Sequence, residues 1–308
     1  MSERRNSLSV GFIGIGAMGR PMAASLRRHG FDVAVFDARP GIAAAFAAEH
    51  GATAAAGLDA LARGADVVIT MLPTSADVAA VLEGGVMAAL QPGAVVVEMS
   101  SGVPAETQRL AALVAKAGGV LVDAPVSGGV ARAVSGELAI MTGGDAAALA
   151  RIRPVLDAMG STILPCGEVG AGHAMKALNN LVSAGGFLIG IEALLIGSRF
   201  GLDQAVMVYV LNASSGMNNS TKGKFRQQVL SRQFASGFGL DLMVKDLTIA
   251  LGLGRETTTP APFASLCREL WLAARQHLGP GQDHTALARL CETLAGSTLA
   301  EGAPDAKP

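Results

Sequence analysis

The chain has 308 residues, half of them apolar, with 24 basic residues against 25 acidic ones and no block of either sign. That length suits two domains better than one, and the near-neutral balance argues against nucleic acid as a partner, because neutralising phosphates takes a basic face. Three cysteines, Cys166, Cys267 and Cys291, lie far apart without metal-ligand spacing, so they read as reduced thiols of a cytoplasmic protein and imply no metal site.

Residues 1–6 are charged and do not resemble a secretory signal. Strand-like runs follow at 8–13, 32–37, 66–72, 94–99, 120–124, 138–142 and 162–164. Ala-rich helical stretches at 18–29, 41–49, 104–117 and 146–159 lie between them. Short β-branched runs separated by helix-length segments predict an α/β Rossmann domain over residues 1–170, its sheet mainly parallel with helices on both faces. After Gly170-Ala171-Gly172 no strand is evident. One long helix is expected over 174–200, stopped at Gly201 by a residue suited to a C-cap. Further helices at 204–212, 242–251, 262–278 and 284–299 complete an all-helical domain over 171–300, leaving 301–308 as a frayed tail.

Mean hydropathy is +0.42, which raises the question of a membrane. The strongest segment, 181–197, is interrupted by Glu192 and preceded by Asn179 and Asn180, whereas a spanning helix needs ~20 apolar residues with few polar interruptions. A helix buried in protein is therefore expected, with no membrane partner. At 1.5 Å per residue it runs ~40 Å, too long for a small helical domain to wrap, so a homodimer or homotetramer is expected.

Gly14-Ile15-Gly16-Ala17-Met18-Gly19 fits the dinucleotide pattern G-x-G-x-x-G between a strand and a helix. Gly14 permits the tight turn, Gly16 lets backbone approach a pyrophosphate, and Gly19 lets helix and strand pack closely. The phosphates then sit over the helix N-terminus, beside Ala17 and Met18. Asp37 ends the next strand, where a carboxylate accepts hydrogen bonds from ribose hydroxyls and repels a 2′-phosphate, favouring NAD. Arg39 keeps NADP open, since a guanidinium there could hold that phosphate unless it swings to solvent.

Four further segments are Met71-Leu72-Pro73, Glu98-Met99-Ser100-Ser101, Asp123-Ala124-Pro125-Val126-Ser127-Gly128-Gly129 and Lys176-Ala177-Leu178-Asn179-Asn180. With the fingerprint, and in order over nearly the whole chain up to Asp283, they resemble the β-hydroxyacid dehydrogenase family, which includes 3-hydroxyisobutyrate dehydrogenase and tartronate semialdehyde reductase. The resemblance implies an NAD(P)-dependent oxidoreductase that transfers a hydride between nicotinamide and the C3 hydroxyl carbon of a small hydroxy acid such as 3-hydroxyisobutyrate, glycerate or threonate. It implies Lys176 as catalytic acid/base and Ser127, Gly128, Gly129 and Asn180 as substrate contacts. Leu72, Pro73, Ser101 and Lys245 are implied at the cofactor, with Lys245 closing the cleft.

These implications are chemically reasonable beside blander readings. A hydroxyl with two unhindered N–H groups, as at Ser127, Gly128 and Gly129, makes a small anion nest, though an ordinary turn has the same composition. Lys176, Asn179 and Asn180 share one helical face, and polar groups on an apolar helix are costly unless something meets them. A lysine snorkelling from the helix start is the other reading. Lys245-Asp246 alone reads as a solvated pair, and His173 as a surface or capping residue.

The loop Ser214-Ser215-Gly216-Met217-Asn218-Asn219-Ser220-Thr221 resembles the family's Ser-Ser-Gly loop but differs after Gly216, and Asp283-His284-Thr285 replaces the more usual Asp-Phe-Ser. Asn218 and Asn219, as paired amides, then become candidates for selecting substrates with extra hydroxyls. Retention of Lys176, Ser127 and Asn180 argues against a non-catalytic dinucleotide-binding module and against an imine reductase. A phosphogluconate-type decarboxylating dehydrogenase would need a longer helical domain.

Overall fold

The computed structural model describes residues 8–300; the expected signal-free start and frayed tail fall on residues outside that range. The chain divides into two compact units, one ending at Lys176 and the other beginning at Ala177.

The first unit runs β1 (Ser9–Ile13), α1 (Gly19–Arg28), β2 (Asp32–Phe36), α2 (Ile42–His50), β3 (Thr53–Ala54), α3 (Leu58–Arg63), β4 (Val67–Thr70), α4 (Ser75–Val81), α5 (Met87–Ala89), β5 (Val95–Glu98), α6 (Pro104–Lys116), β6 (Val120–Asp123), β7 (Val126–Ser127), α7 (Gly129–Ser135), β8 (Leu138–Gly143), α8 (Ala146–Arg151), α9 (Arg153–Asp157) and β9 (Gly160–Gly167). The strands form one sheet in the order β3-β2-β1-β4-β5-β6-β8-β7, with β9 beside β8. All neighbours are parallel except β6 with β8 and β7 with β8.

Every residue of β4 and β5 is buried, as expected of a parallel sheet covered on both faces. Alternation along each strand divides them: Phe12, Ile69 and Val97 pack on one side, Ile13, Val68 and Val96 on the other. β1 lies between β2 and β4, so successive strands leave it in opposite directions. That switch point is where open parallel sheets bind ligands, at the strands' carboxyl ends.

Some local expectations change. The helix expected over 146–159 is two helices, because Pro154 has no N–H to continue the first and sits at the start of the second. The two-residue strands β3 and β7 escape a periodicity argument, being too short for any pattern to repeat. α4 is opened by a capping box between Thr74 and Asp77.

α10 (Ala171–Phe200) is one uninterrupted helix. The second unit continues with α11 (Gln204–Asn212), α12 (Asn219–Gly223), a π-helical turn at Phe225–Leu230, α13 (Leu240–Glu256), α14 (Pro262–Leu278) and α15 (Leu287–Ala295). Its core gathers Phe187, Leu194, Phe225, Leu247, Trp271 and Leu287. Phe187 lies edge-on to Phe225 at 5.5 Å and 5.9 Å from Trp271. The chain therefore has a mainly parallel Rossmann-type sheet followed by an all-helical unit.

Candidate active site

The turn between β1 and α1 fits a dinucleotide. Gly14 has φ +98°, and a side chain there would come within 2.3 Å of Met71 O; one at Gly19 would reach Gly14 O at 1.8 Å. Both positions therefore require glycine. A side chain at Gly16 would meet nothing within 4 Å, which leaves room for phosphates above the start of α1, with Ala17 exposed and Met18 half-buried beside it.

Asp37 closes this turn. Its Oδ2 accepts from Ile15 N at 2.9 Å and from an Arg39 terminal nitrogen at 3.0 Å. Its Oδ1 accepts from Arg39 N and Arg39 Nε, each at 2.9 Å. Arg39 thus grips the carboxylate instead of swinging to solvent. Chiefly through that side-chain hydrogen bond, it holds Asp37 below the usual carboxylate range, against the opposing effect of burial.

Leu72 and Pro73 follow β4, and Ser100 and Ser101 follow β5. Leu72 N donates to the buried Ser100 Oγ at 2.9 Å, which ties these two loops together. Ser127 belongs to β7 and pairs with Ala139 of β8, so an antiparallel strand, and not the end of β6 directly, presents the Ser-Gly-Gly turn. Gly128 and Gly129 have φ +132° and +68° and are exposed at the start of α7.

Lys176 is buried, only 8% exposed, which is not the environment of a snorkelling side chain. Three residues earlier His173 is more deeply buried. Its Nε2 lies 2.6 Å from Glu98 Oε2 and 3.1 Å from Ser100 O; its Nδ1 lies 2.8 Å from Thr107 Oγ1. The surface or capping role expected for His173 is wrong. The helix is capped instead by Asp123, whose Oδ1 accepts from Gly170 N at 2.6 Å and whose Oδ2 accepts from His173 N at 2.8 Å. Burial pushes the Asp123 carboxyl above its usual range, with the imidazole and both N–H groups opposing.

Within the second unit, Asn180 Nδ2 donates to Asp246 Oδ2 at 2.6 Å, and Asn179 Nδ2 lies 3.2 Å from Asn180 Oδ1. Lys245 Nζ is 3.4 Å from Asp246 Oδ1. Lys245 and Asp246 are therefore not a solvated pair: Asp246 is buried and joins Lys245 to Asn180. The only trace of this in the sequence is an acid on the apolar stripe of α13.

Asn218 is not free to read a substrate. Its Oδ1 caps α12, accepting from Ser220 N at 2.8 Å and Thr221 N at 3.1 Å, and its Nδ2 donates to Gly186 O at 3.4 Å. Asn219 stays exposed. His284 is buried against Phe187, Phe238 and Trp271.

A glycine turn at the switch point with an acid closing β2 defines a nucleotide-dependent dehydrogenase fold, and the comparisons agree. The family described as the NAD binding domain of 6-phosphogluconate dehydrogenase matches residues 9–167, and that described as NAD-binding of NADP-dependent 3-hydroxyisobutyrate dehydrogenase matches residues 170–291. The chain is 37% identical to 2-(hydroxymethyl)glutarate dehydrogenase of Eubacterium barkeri over 96% of its own length and 99% of the relative's. It is 35% identical to the NAD-dependent L-serine dehydrogenase of Pseudomonas aeruginosa over 93% and 99%. The solved Mycobacterium tuberculosis 3-hydroxyisobutyrate dehydrogenase with L-serine superposes with a TM-score of 0.85 at 32% identity, covering 92% of this chain and 99% of that one. The chain belongs to the β-hydroxyacid dehydrogenase family and is an NAD(P)-dependent hydroxyacid dehydrogenase acting on a small molecule with a nicotinamide dinucleotide.

Proposed function

We propose that the protein oxidises the C3 hydroxyl of a small 3-hydroxy acid, or runs the reverse reduction, with Lys176 as general acid/base. The observation that carries this reading is the burial of Lys176 on α10 one turn before the buried Asn180. An amine held inside the protein one turn from that amide is placed to exchange a proton with a substrate hydroxyl.

In the oxidising direction the uncharged Lys176 amine takes the hydroxyl proton while the C3–H bond breaks. The hydrogen leaves with its electron pair, and a C3 carbonyl forms. Bound nicotinamide supplies the hydride acceptor. The Ser127 hydroxyl and the N–H groups of Gly128 and Gly129 hold the substrate carboxylate. Asn180, its amide oriented by Asp246, contacts the substrate. The glycine turn at Gly14, Gly16, Ala17, Met18 and Gly19 binds the pyrophosphate, while Leu72, Pro73, Ser101 and Lys245 line the cofactor.

The compounds named for the relatives, 2-(hydroxymethyl)glutarate, L-serine and 3-hydroxyisobutyrate, all carry a hydroxymethyl group on the carbon next to a carboxylate. We assign this chain to substrates of that pattern, with glycerate its polyol member; threonate, whose C3 hydroxyl is secondary, is the longer polyol acid to set beside it. NAD is the cofactor this reading prefers, because a carboxylate at the end of β2 accepts ribose hydroxyls and repels a 2′-phosphate. The cytoplasm is the compartment that suits its three free thiols.

Initial rates with NAD⁺ and NADP⁺ against glycerate, threonate, 3-hydroxyisobutyrate and serine, with Lys176→Ala alongside, test the reading. A loss of ~10²–10⁴-fold in the variant is expected of a general acid/base. Full activity in the variant would overturn the role of Lys176. Cofactor binding without turnover of any panel member would overturn the reaction.

A further inference from the structure

We infer that His173 is a doubly protonated positioning residue that pins the Lys176 turn of α10 to the loops after β5 and β6, and that its charge sets the pH range over which Lys176 works. The inference rests on the assignment of Lys176 above.

Hydrogen-bond accounting carries it. Glu98 Oε2 and Ser100 O both face Nε2, and each is an acceptor, so that nitrogen bears a proton. The Thr107 hydroxyl beside Nδ1 lies 3.1 Å from Val103 O. A hydroxyl that donates there accepts from the ring, and Nδ1 then bears a proton as well. Asp123 Oδ2 stands 3.9 Å beyond Nδ1. An imidazolium between two buried carboxylates sets a donor against each of these acceptors and offsets the carboxylates' charge.

The charged groups that face the ring are Glu98 from the end of β5 and Asp123 from the end of β6. Cys166 of β9 is the other titratable group coupled to Asp123, and Lys176 lies one turn along α10. Burial disfavours the imidazolium, but the Glu98 and Asp123 charges outweigh it and raise the histidine above its ordinary range; the same pairing holds Glu98 down.

The cluster also reaches the cofactor loops. Glu98 Oε1 accepts from Ser100 N at 2.8 Å, and Ser100 Oγ accepts from Leu72 N. One ring therefore fixes the helix of Lys176 relative to the two loops assigned to the cofactor. Neutralising it would leave two buried carboxylates and a more negative field at Lys176.

Nitrogen-15 NMR of the full-length protein labelled at histidine reads the charge directly. Both His173 ring nitrogens are expected to be protonated at neutral pH, where an ordinary histidine is mostly uncharged. A His173 signal that is neutral at pH 7 would overturn the inference without any variant. In His173→Gln, kcat is expected to fall about 10- to 100-fold from misplacement of the amine. Its pH limb should move upward while the Kd for NADH and the KM for substrate change little. Glu98→Gln should let His173 titrate within the assay range and add a new ionisation to the kcat profile.

Profiles of both variants that superimpose on the wild type would sink the proposal. If Lys176→Ala keeps its turnover, the assignment of Lys176 falls. If Lys176→Ala loses turnover but His173→Gln keeps both rate and profile, only the inference about His173 falls. Should His173→Gln fail to fold, Glu98→Gln and the wild-type titration still decide.

Discussion

Asp37 accepts four hydrogen bonds, which fills the roughly four lone-pair sites of a carboxylate. Adenosine ribose hydroxyls bind it by displacing the Arg39 guanidinium, which once released could meet a 2′-phosphate, the group that Asp37 itself repels. Arg39→Ala is therefore expected to lower kcat/KM with NADP⁺ about 10- to 100-fold and to leave or improve that with NAD⁺. Unchanged use of NADP⁺ would show that Arg39 does not meet the phosphate. His284 gives a second prediction, this time about stability. Burial first, then the nearby Lys224 charge, pushes it down to about 4. The folded state thus binds fewer protons than the unfolded state, in which histidine titrates near 6.5. Stability is full above pH 6.5 and is lost as the pH falls from 6.5 towards 4, by about 3 kcal/mol. Thermal unfolding of wild type and His284→Phe across this range checks it, because the variant should lack that part of the acid dependence.

At the scale of elements, the two caps differ in origin. Asn218 caps α12 from the adjacent position, and Asn218→Ala should cost about 0.5–2 kcal/mol of stability without altering substrate preference. Asn219→Ala is the substitution expected to alter that preference; unchanged relative rates across the acid panel would exclude the loop as the selector. α10 is capped by Asp123 from a different strand, a negative charge at the positive end of a thirty-residue helix. Asp123→Asn retains an acceptor but loses the charge. It should lower the unfolding midpoint by an amount corresponding to about 1–3 kcal/mol, measurable by calorimetry at neutral pH.

For the whole molecule, the exposed face of α10 is the apolar surface that matters most. Val182, Ile189 and Ile196 recur every seven residues and are 76%, 54% and 70% exposed, so they form one apolar stripe that none of the described residues covers. The helix is long and apolar enough to cross a membrane, yet half of its most apolar window is already buried in protein. We propose that a second copy covers the stripe, in a homodimer or homotetramer. Sedimentation equilibrium at micromolar concentration should give such a species for the wild type and a monomer for Val182→Asp combined with Ile189→Asp. A monomeric wild type would overturn the proposal.

Reading from the sequence succeeded where the cause is local. The strand–glycine–helix turn at Gly14, the alternation of strands and helices, and the long helix all follow from turn chemistry and periodicity within about a dozen residues. The buried polar face of Lys176 and Asn180 was also legible, because a polar stripe on an apolar helix is costly wherever it occurs. Partner choice was not. Asp123 caps α10 across separations of 47 and 50 residues, and Asp246 meets Asn180 across 66. His173 is drawn into the interior by carboxylates at the ends of two other strands. Nothing near these residues in the chain marks them, because a hydrogen bond forms only between groups that the packed sheet and helices have already brought within 3 Å. Local patterns determined which elements form and where a nucleotide would bind. Only tertiary packing decided which buried charges face one another, since burial removes the water that would otherwise satisfy each of them separately.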